Sequence, residues 1–299
     1  AGTSTALSLD LDSTGAITQT GTITVTGTSD FAAGSNAITL DQANDFQGRV
    51  SLSNSGSNDV TIDDANDLVL GTVSIAAGNL NVDNGGTITQ SGVISVGGNT
   101  VFNNSDGDNA DITLTNASNA FTGTVTFATD SGSDISITDT TAFDLAALTA
   151  NTLTVNAGGA LTDSGTVSIT GLADLTGGTV TINDTFNAGT LTFNSAGGVT
   201  IGENSATALT GTSTALSLDL DSTGAITDAD DASLTVTNLA DFAGTSITLG
   251  DHASTDTINA GTLSFNSAGG VTIGENSATA LTGTSTALSL DLDSTGAIT

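Results

Sequence analysis

The sequence predicts an all-β fold, a right-handed parallel β-helix (β-solenoid) with coils of roughly 20 residues. Three observations carry this expectation. Apolar and polar residues alternate over short stretches, the chain repeats itself internally, and large core-forming side chains are scarce.

Alternation comes first. Leu9 and Leu11 lie between Ser8, Asp10 and Asp12, and Ile23 and Val25 between Thr22, Thr24 and Thr26. Leu153/Val155, Val167/Ile169, Val180/Ile182 and Leu234/Val236 repeat the pattern. Successive strand side chains point to opposite faces, so each stretch has one apolar and one polar face. The Thr, Val and Ile content favours strands, and helical periodicity is weak. Gly, Asn, Asp or Ser follows each stretch, as corners require. The Gly-Gly pairs, such as Gly85-Gly86, Gly97-Gly98, Gly177-Gly178 and Gly197-Gly198, read as sharp corners wanting positive φ.

Repeats come second. GTSTALSLDLDSTGAIT starts at Gly2, Gly211 and Gly283. Asp184–Thr227 and Asp256–Thr299 agree except at Phe186/Ile258 and Thr192/Ser264. Their offset is 72 residues, against 67 for the segments from Leu172 and Leu239, because His252–Asp256 is inserted. A solenoid accommodates such an insertion as a corner loop. The families of weaker copies run on without a linker, so residues 1–299 read as one continuous array, a segment of a longer protein. At about 4.8 Å per coil the array would rise roughly 70 Å.

Composition separates the solenoid from a string of sandwiches. The 299 residues include no Trp, Tyr, Pro, Cys or Met, and aromatics make up 3%, all Phe. A sandwich needs a thick core and hairpin chemistry. A solenoid interior is thin and fills with Val, Ile, Leu, Ala and a few Phe. Asn84-Gly85, a hairpin signal, is the one feature that points the other way.

Charge narrows the partners. The net charge is −31 and Arg49 is the single basic residue apart from His252. Such a surface repels nucleic acid and anionic membranes. No apolar run is long enough to span a bilayer.

Segments such as ITLDQANDFQG, SNDVTIDDANDL, NLNVDNGGTITQSG and FNAGTLTFNSAGGVTI resemble the repeats of large bacterial exoproteins of the filamentous haemagglutinin type, or autotransporter-like adhesins. The resemblance covers nearly the whole chain. It implies a right-handed parallel β-helix, export across an outer membrane, and a role in adhesion, biofilm or filament formation.

The expected function is an extracellular structural or adhesive rod on a bacterial surface, not an enzyme. Its expected partners are further repeats of its own kind, stacked end to end, and surface or matrix carbohydrate. Two alternatives stand beside it: a carbohydrate-binding or carbohydrate-active β-helix, and a calcium-dependent surface-layer component. Catalysis has little to work with. Asp251, His252 and Ser254 are sequence neighbours, an arrangement that rarely makes a triad. The sequence requires no cofactor; calcium is the candidate it offers, set against plain solvated acidic turns. Asp106, Asp108 and Asp111 place carboxylates around Gly107, and Asp228, Asp230 and Asp231 form a second acidic corner. Calcium takes several such oxygens. The strand acids Asp10/Asp12, Asp219/Asp221 and Asp291/Asp293 should face outward, where like charges on adjacent coils would repel.

Overall fold

A computed structural model of the chain describes residues 4–106, 108–252 and 255–299. Among these residues there is no helix, and every strand pairing is parallel. The fold is a β-solenoid of about 14 turns at roughly 20-residue spacing. The chain divides into two compact units, the first reaching Asn151 and including Asn156–Gly158, the second comprising Thr152–Val155 and Gly159–Thr299.

In the first unit, residues one turn apart stack in register and form columns. One column runs Ile17, Ile38, Val60, Leu80, Thr100, Val125 and Leu145. A second runs Leu40, Ile62, Val82, Phe102 and Phe127. A third runs Leu68, Ile88, Ile112 and Ile135. Where two phenylalanines meet in one column, Phe102 and Phe127, their rings stack 5.8 Å apart. The second unit follows the same rule. Leu161, Val180, Val199, Leu218, Ala240 and Leu263 form one column. Ile182, Ile201, Leu220, Phe242 and Phe265 form the next.

These columns are the core, and all ten phenylalanines are buried in it. Burying each large aliphatic or aromatic side chain contributes about 1.5–3 kcal/mol. Arg49 points outward, next to the inward Val50. It lies 3.5 Å from Asp30, while Val50 and Leu52 are buried.

Two expectations change, and the solenoid reading of Asn84-Gly85 holds. The Gly-Gly pairs do not adopt positive φ; among the described glycines that conformation belongs to Gly34, Gly211, Gly250 and Gly283. The pairs serve close approach instead. A Cβ on Gly98 would lie 2.4 Å from the Gly78 carbonyl oxygen, and one on Gly123 would lie 2.5 Å from that of Gly98. Asn84-Gly85 is a solenoid corner and not a hairpin, because the strands on either side pair only with other turns, in parallel. The Leu alternation also breaks at a corner. Leu216 is 43% exposed, although Leu218 and Leu220 are buried. Leu216 precedes the strand Ser217–Ser222, so the strand's alternation does not reach it.

Polar columns line some inner corners. Asn44, Asp64 and Asn84 stack in register and are all buried. Asn44 pairs its amide with that of Gln19, at 2.8 and 3.2 Å, and Asn119 pairs with Gln90, both at 2.9 Å. The Nδ2 groups of Asn54 and Asn104 donate to corner carbonyls at 2.8 Å, and Asn84 donates to Gly86 and Thr87. Asp64 has no amide to donate. Its Oδ1 accepts the Phe46 N–H at 3.0 Å, and its Oδ2 is buried without a partner. Burial, and behind it the neighbouring Asp45 and Asp63 charges, raise this carboxyl to about 7.

Two outcomes follow. Gly98→Ala should lower the melting temperature markedly, since backbone and not a flexible side chain stands where the Cβ would go; unchanged melting would refute the close packing. The native Asp64 pKa lies above the unfolded value. The stability tied to its neutral form is therefore complete below about pH 4 and lost as pH rises through about 7. Asp64→Asn should stabilise the chain at pH 8, by up to a few kcal/mol, with much less effect at pH 4. Denaturant melts at the two pH values check this.

Candidate cation sites

Alternation sends the strand acids outward, and in-register stacking then sets some of them over one another. In the first unit Asp63 faces Asp83, and Asp10 faces Asp30. Burial, then the charges of Asp83, Asp41 and Asp106, raise the Asp63 carboxyl. Asp63, Asp83 and Asp106 line one surface hollow with Ala43, Ala65 and Gly85. Asp106 therefore sits with strand acids from two preceding turns. Asp108 and Asp111 are engaged elsewhere: Asp108 Oδ1 accepts the Ala110 N–H at 3.1 Å, and Asp111 Oδ1 accepts the Asp134 N–H at 2.9 Å. Gly107, between them, lies outside the described residues. Asp63 and Asp83 were readable as partners, because they stand one coil apart.

In the second unit Asp219 faces Asp241, with Thr200 on the other side of Asp219 and Ser264 on the other side of Asp241. Burial, then Asp221 and Asp241, raise the Asp219 carboxyl. Ser264 Oγ donates to Asp241 at 2.6 Å, and Thr192 Oγ1 donates to Asp174 at 2.9 Å. Thr192/Ser264 is one of the two differences between the long copies, and it keeps the hydroxyl donor.

The second acidic corner meets the inserted loop. Asp228 Oδ2 accepts the Gly250 N–H at 2.9 Å, while its Oδ1 is buried without a partner. Burial, then the charges of Asp256 and Asp251, raise this carboxyl to about 6. Asp230 Oδ1 lies 3.1 Å from His252 Nδ1, Asp251 Oδ1 lies 3.2 Å from it, and Asp256 Oδ2 lies 3.8 Å from it. The charges of Asp230 and then Asp251 raise the His252 pKa. Asp231, in the left-handed region at φ 69°, contributes its N–H, which donates to Asp256 Oδ1 at 2.9 Å. Among the described residues, Asp251, His252 and Asp256 are the group of three whose ligand atoms all lie within 4.8 Å of one another. The sequence placed Asp228, Asp230 and Asp231 at one corner, offered His252 only in a triad with Asp251 and Ser254, and showed Asp256 only as the end of the insertion, which carries both to this corner. Ser254, the third residue of the sequence-adjacent triad, lies outside the described residues.

A family model of repeats of unknown function (DUF5649) matches residues 1–53, 57–128 and 132–194, more than half of the chain. No curated protein and no solved structure matches it.

The stacked pair Asp219/Asp241 yields a measurable outcome. Asp241→Asn removes one of two facing charges and keeps an acceptor for Ser264. It should stabilise the chain at pH 7 in low salt by about 0.2–1 kcal/mol, read as a higher melting temperature, and the gain should shrink in 0.5 M NaCl as screening grows. The native Asp219 pKa is raised, so the gain should also fade as pH drops towards the ordinary carboxylate value. A gain independent of salt and pH would contradict the electrostatic account.

Proposed function

We propose that this chain, which belongs to the family of repeats of unknown function (DUF5649), is an extracellular structural or adhesive component of a bacterial surface, of the filamentous haemagglutinin kind. The observation that carries the reading is how the turns use their side chains. The inward columns are filled by Val, Ile, Leu, Ala and Phe, and the outward positions repeat Thr, Ser, Asn and Asp. A surface of that kind suits broad contact with other molecules. All ten phenylalanines are in the core, so the stacking platform that a sugar-binding cleft uses is not supplied by them.

Further coils of the same kind are the favoured partners. Every turn pairs with the next through the same in-register rule, as Leu218 and Ile226 do with Ala240 and Ile247, so a coil of the same sequence pattern is a complementary partner. The calcium-dependent surface-layer reading draws on the facing acids Asp63/Asp83 and Asp219/Asp241, whose repulsion a divalent cation would relieve.

Labelling intact producing cells with an antibody to this chain, followed by electron microscopy, tests the reading. The expected result is label on the outer surface without permeabilisation. Label that appears only after permeabilisation, or degradation of a polysaccharide panel by the purified chain, would overturn it. Melting in EDTA against calcium separates the two structural versions: a chelator-sensitive melting temperature supports the calcium-dependent one, and equal temperatures remove it.

A further inference from the structure

We propose that Asp251, His252 and Asp256, with Asp230 reaching the same imidazole, form a binding site for one first-row divalent metal ion of the zinc class. The inference is independent of the surface role.

Three carboxylate oxygens converge on a single imidazole nitrogen, His252 Nδ1, at 3.1, 3.2 and 3.8 Å. That nitrogen carries at most one proton and can donate to one of the three, while Asp256 Oδ2 also accepts the His252 N–H at 3.0 Å. A metal ion here would take the imidazole nitrogen and the carboxylate oxygens as ligands. Ligands bound at about 2.0–2.2 Å in a tetrahedron stand about 3.3–3.6 Å apart; Asp251 and Asp256 lie 3.2 and 3.8 Å from the imidazole nitrogen, and the ligand atoms of these three residues all lie within 4.8 Å of one another, which leaves a fourth position for water.

The donor set selects the metal. One imidazole nitrogen with carboxylate oxygens suits zinc and its first-row neighbours, whereas calcium takes six to eight oxygens. The site is also built and held. Asp256 is 3% exposed, although it is an acid in a chain of net charge −31. The N–H groups of Asp231 and His252 fix its two oxygens, at 2.9 and 3.0 Å. The N–H groups of Thr255 and Asp256 return to the His252 carbonyl, at 2.8 and 3.0 Å, and close the loop. Beside it stands Asp228 Oδ1, buried and without a partner. An ion would neutralise this concentration of negative charge. In the sister copy nothing is inserted before Asp184, and the chain contains no second histidine. The site is therefore particular to this corner.

Cobalt(II) is the probe. Titrating the metal-free chain with Co2+ at pH 7.5 should give one equivalent of binding with the intense visible bands of four-coordinate cobalt. Zn2+ should displace it, and excess Ca2+ should not. The NMR resonances of the single histidine should shift as one equivalent of Zn2+ is added. His252→Ala and Asp251→Asn change exposed side chains and should leave circular dichroism unchanged, yet each should weaken binding at least about tenfold. Binding should weaken as pH falls and the imidazole takes up a proton. Cobalt binding without those bands, equal affinity in His252→Ala, or displacement by Ca2+ would each overturn the site, and would leave the proposed surface role untouched.

Discussion

In-register parallel stacking of one turn on the next is the constraint on which the rest of the structure depends. Each turn hydrogen-bonds to its neighbours through the backbone, so a side chain meets, above and below, the residue about one coil away in sequence. Inward, this produces continuous columns of Ile, Val, Leu and Phe. Outward, it sets Asp63 on Asp83 and Asp219 on Asp241. At the corners it brings backbones so close that Gly78, Gly98 and Gly123 have no room for a Cβ. One geometric rule thus yields the core, the acidic surface pairs and the glycine corners.

The same rule explains the polar interior. A corner leaves backbone carbonyls and N–H groups facing inward, where leaving them unpaired is costly. Asn is suited to the place because one short side chain both donates and accepts. Asn54 donates to Asn36 and Asn58 and accepts from Gly56. In the second unit, glutamates take over the accepting half. Glu203 receives the Ala188 N–H and the Ser205 hydroxyl, and Glu275 receives the Ala260 N–H and the Ser277 hydroxyl. Asp64 and Asp139 are acids in such positions, and burial raises both carboxyls. The buried acids answer the hydrogen-bonding needs of corners and stand apart from the outward charge.

The inserted loop lies where the repeat rule is interrupted. Within the array a side chain's neighbours are set by coil spacing. His252 leaves that spacing, and its imidazole meets Asp230 of the preceding turn. Insertions at corners let a repetitive scaffold acquire a local site without disturbing the columns beneath. Here Leu249 and Ile258, on either side of the loop, remain buried.

Fold class was legible because period-two alternation, short strands and repeats several coils long are statements about the chain itself, and a thin interior needs no large aromatics. Arg49 was legible as outward for the same reason. Leu216 was not, since alternation is a property of a strand and the sequence does not mark where the strand begins. The Gly-Gly pairs were recognised as corners but for the wrong cause, because close approach between turns is invisible in one turn's residues. The two acidic corners looked alike in sequence. A local turn engages Asp108 with the Ala110 N–H, while contact between turns engages Asp111 with the Asp134 N–H and brings Asp230 to His252. The sequence by itself determined that turns stack and which face turns inward, since both follow from local periodicity. Only the tertiary structure decided which residues of different turns touch, because that depends on the exact register and on the path of each corner.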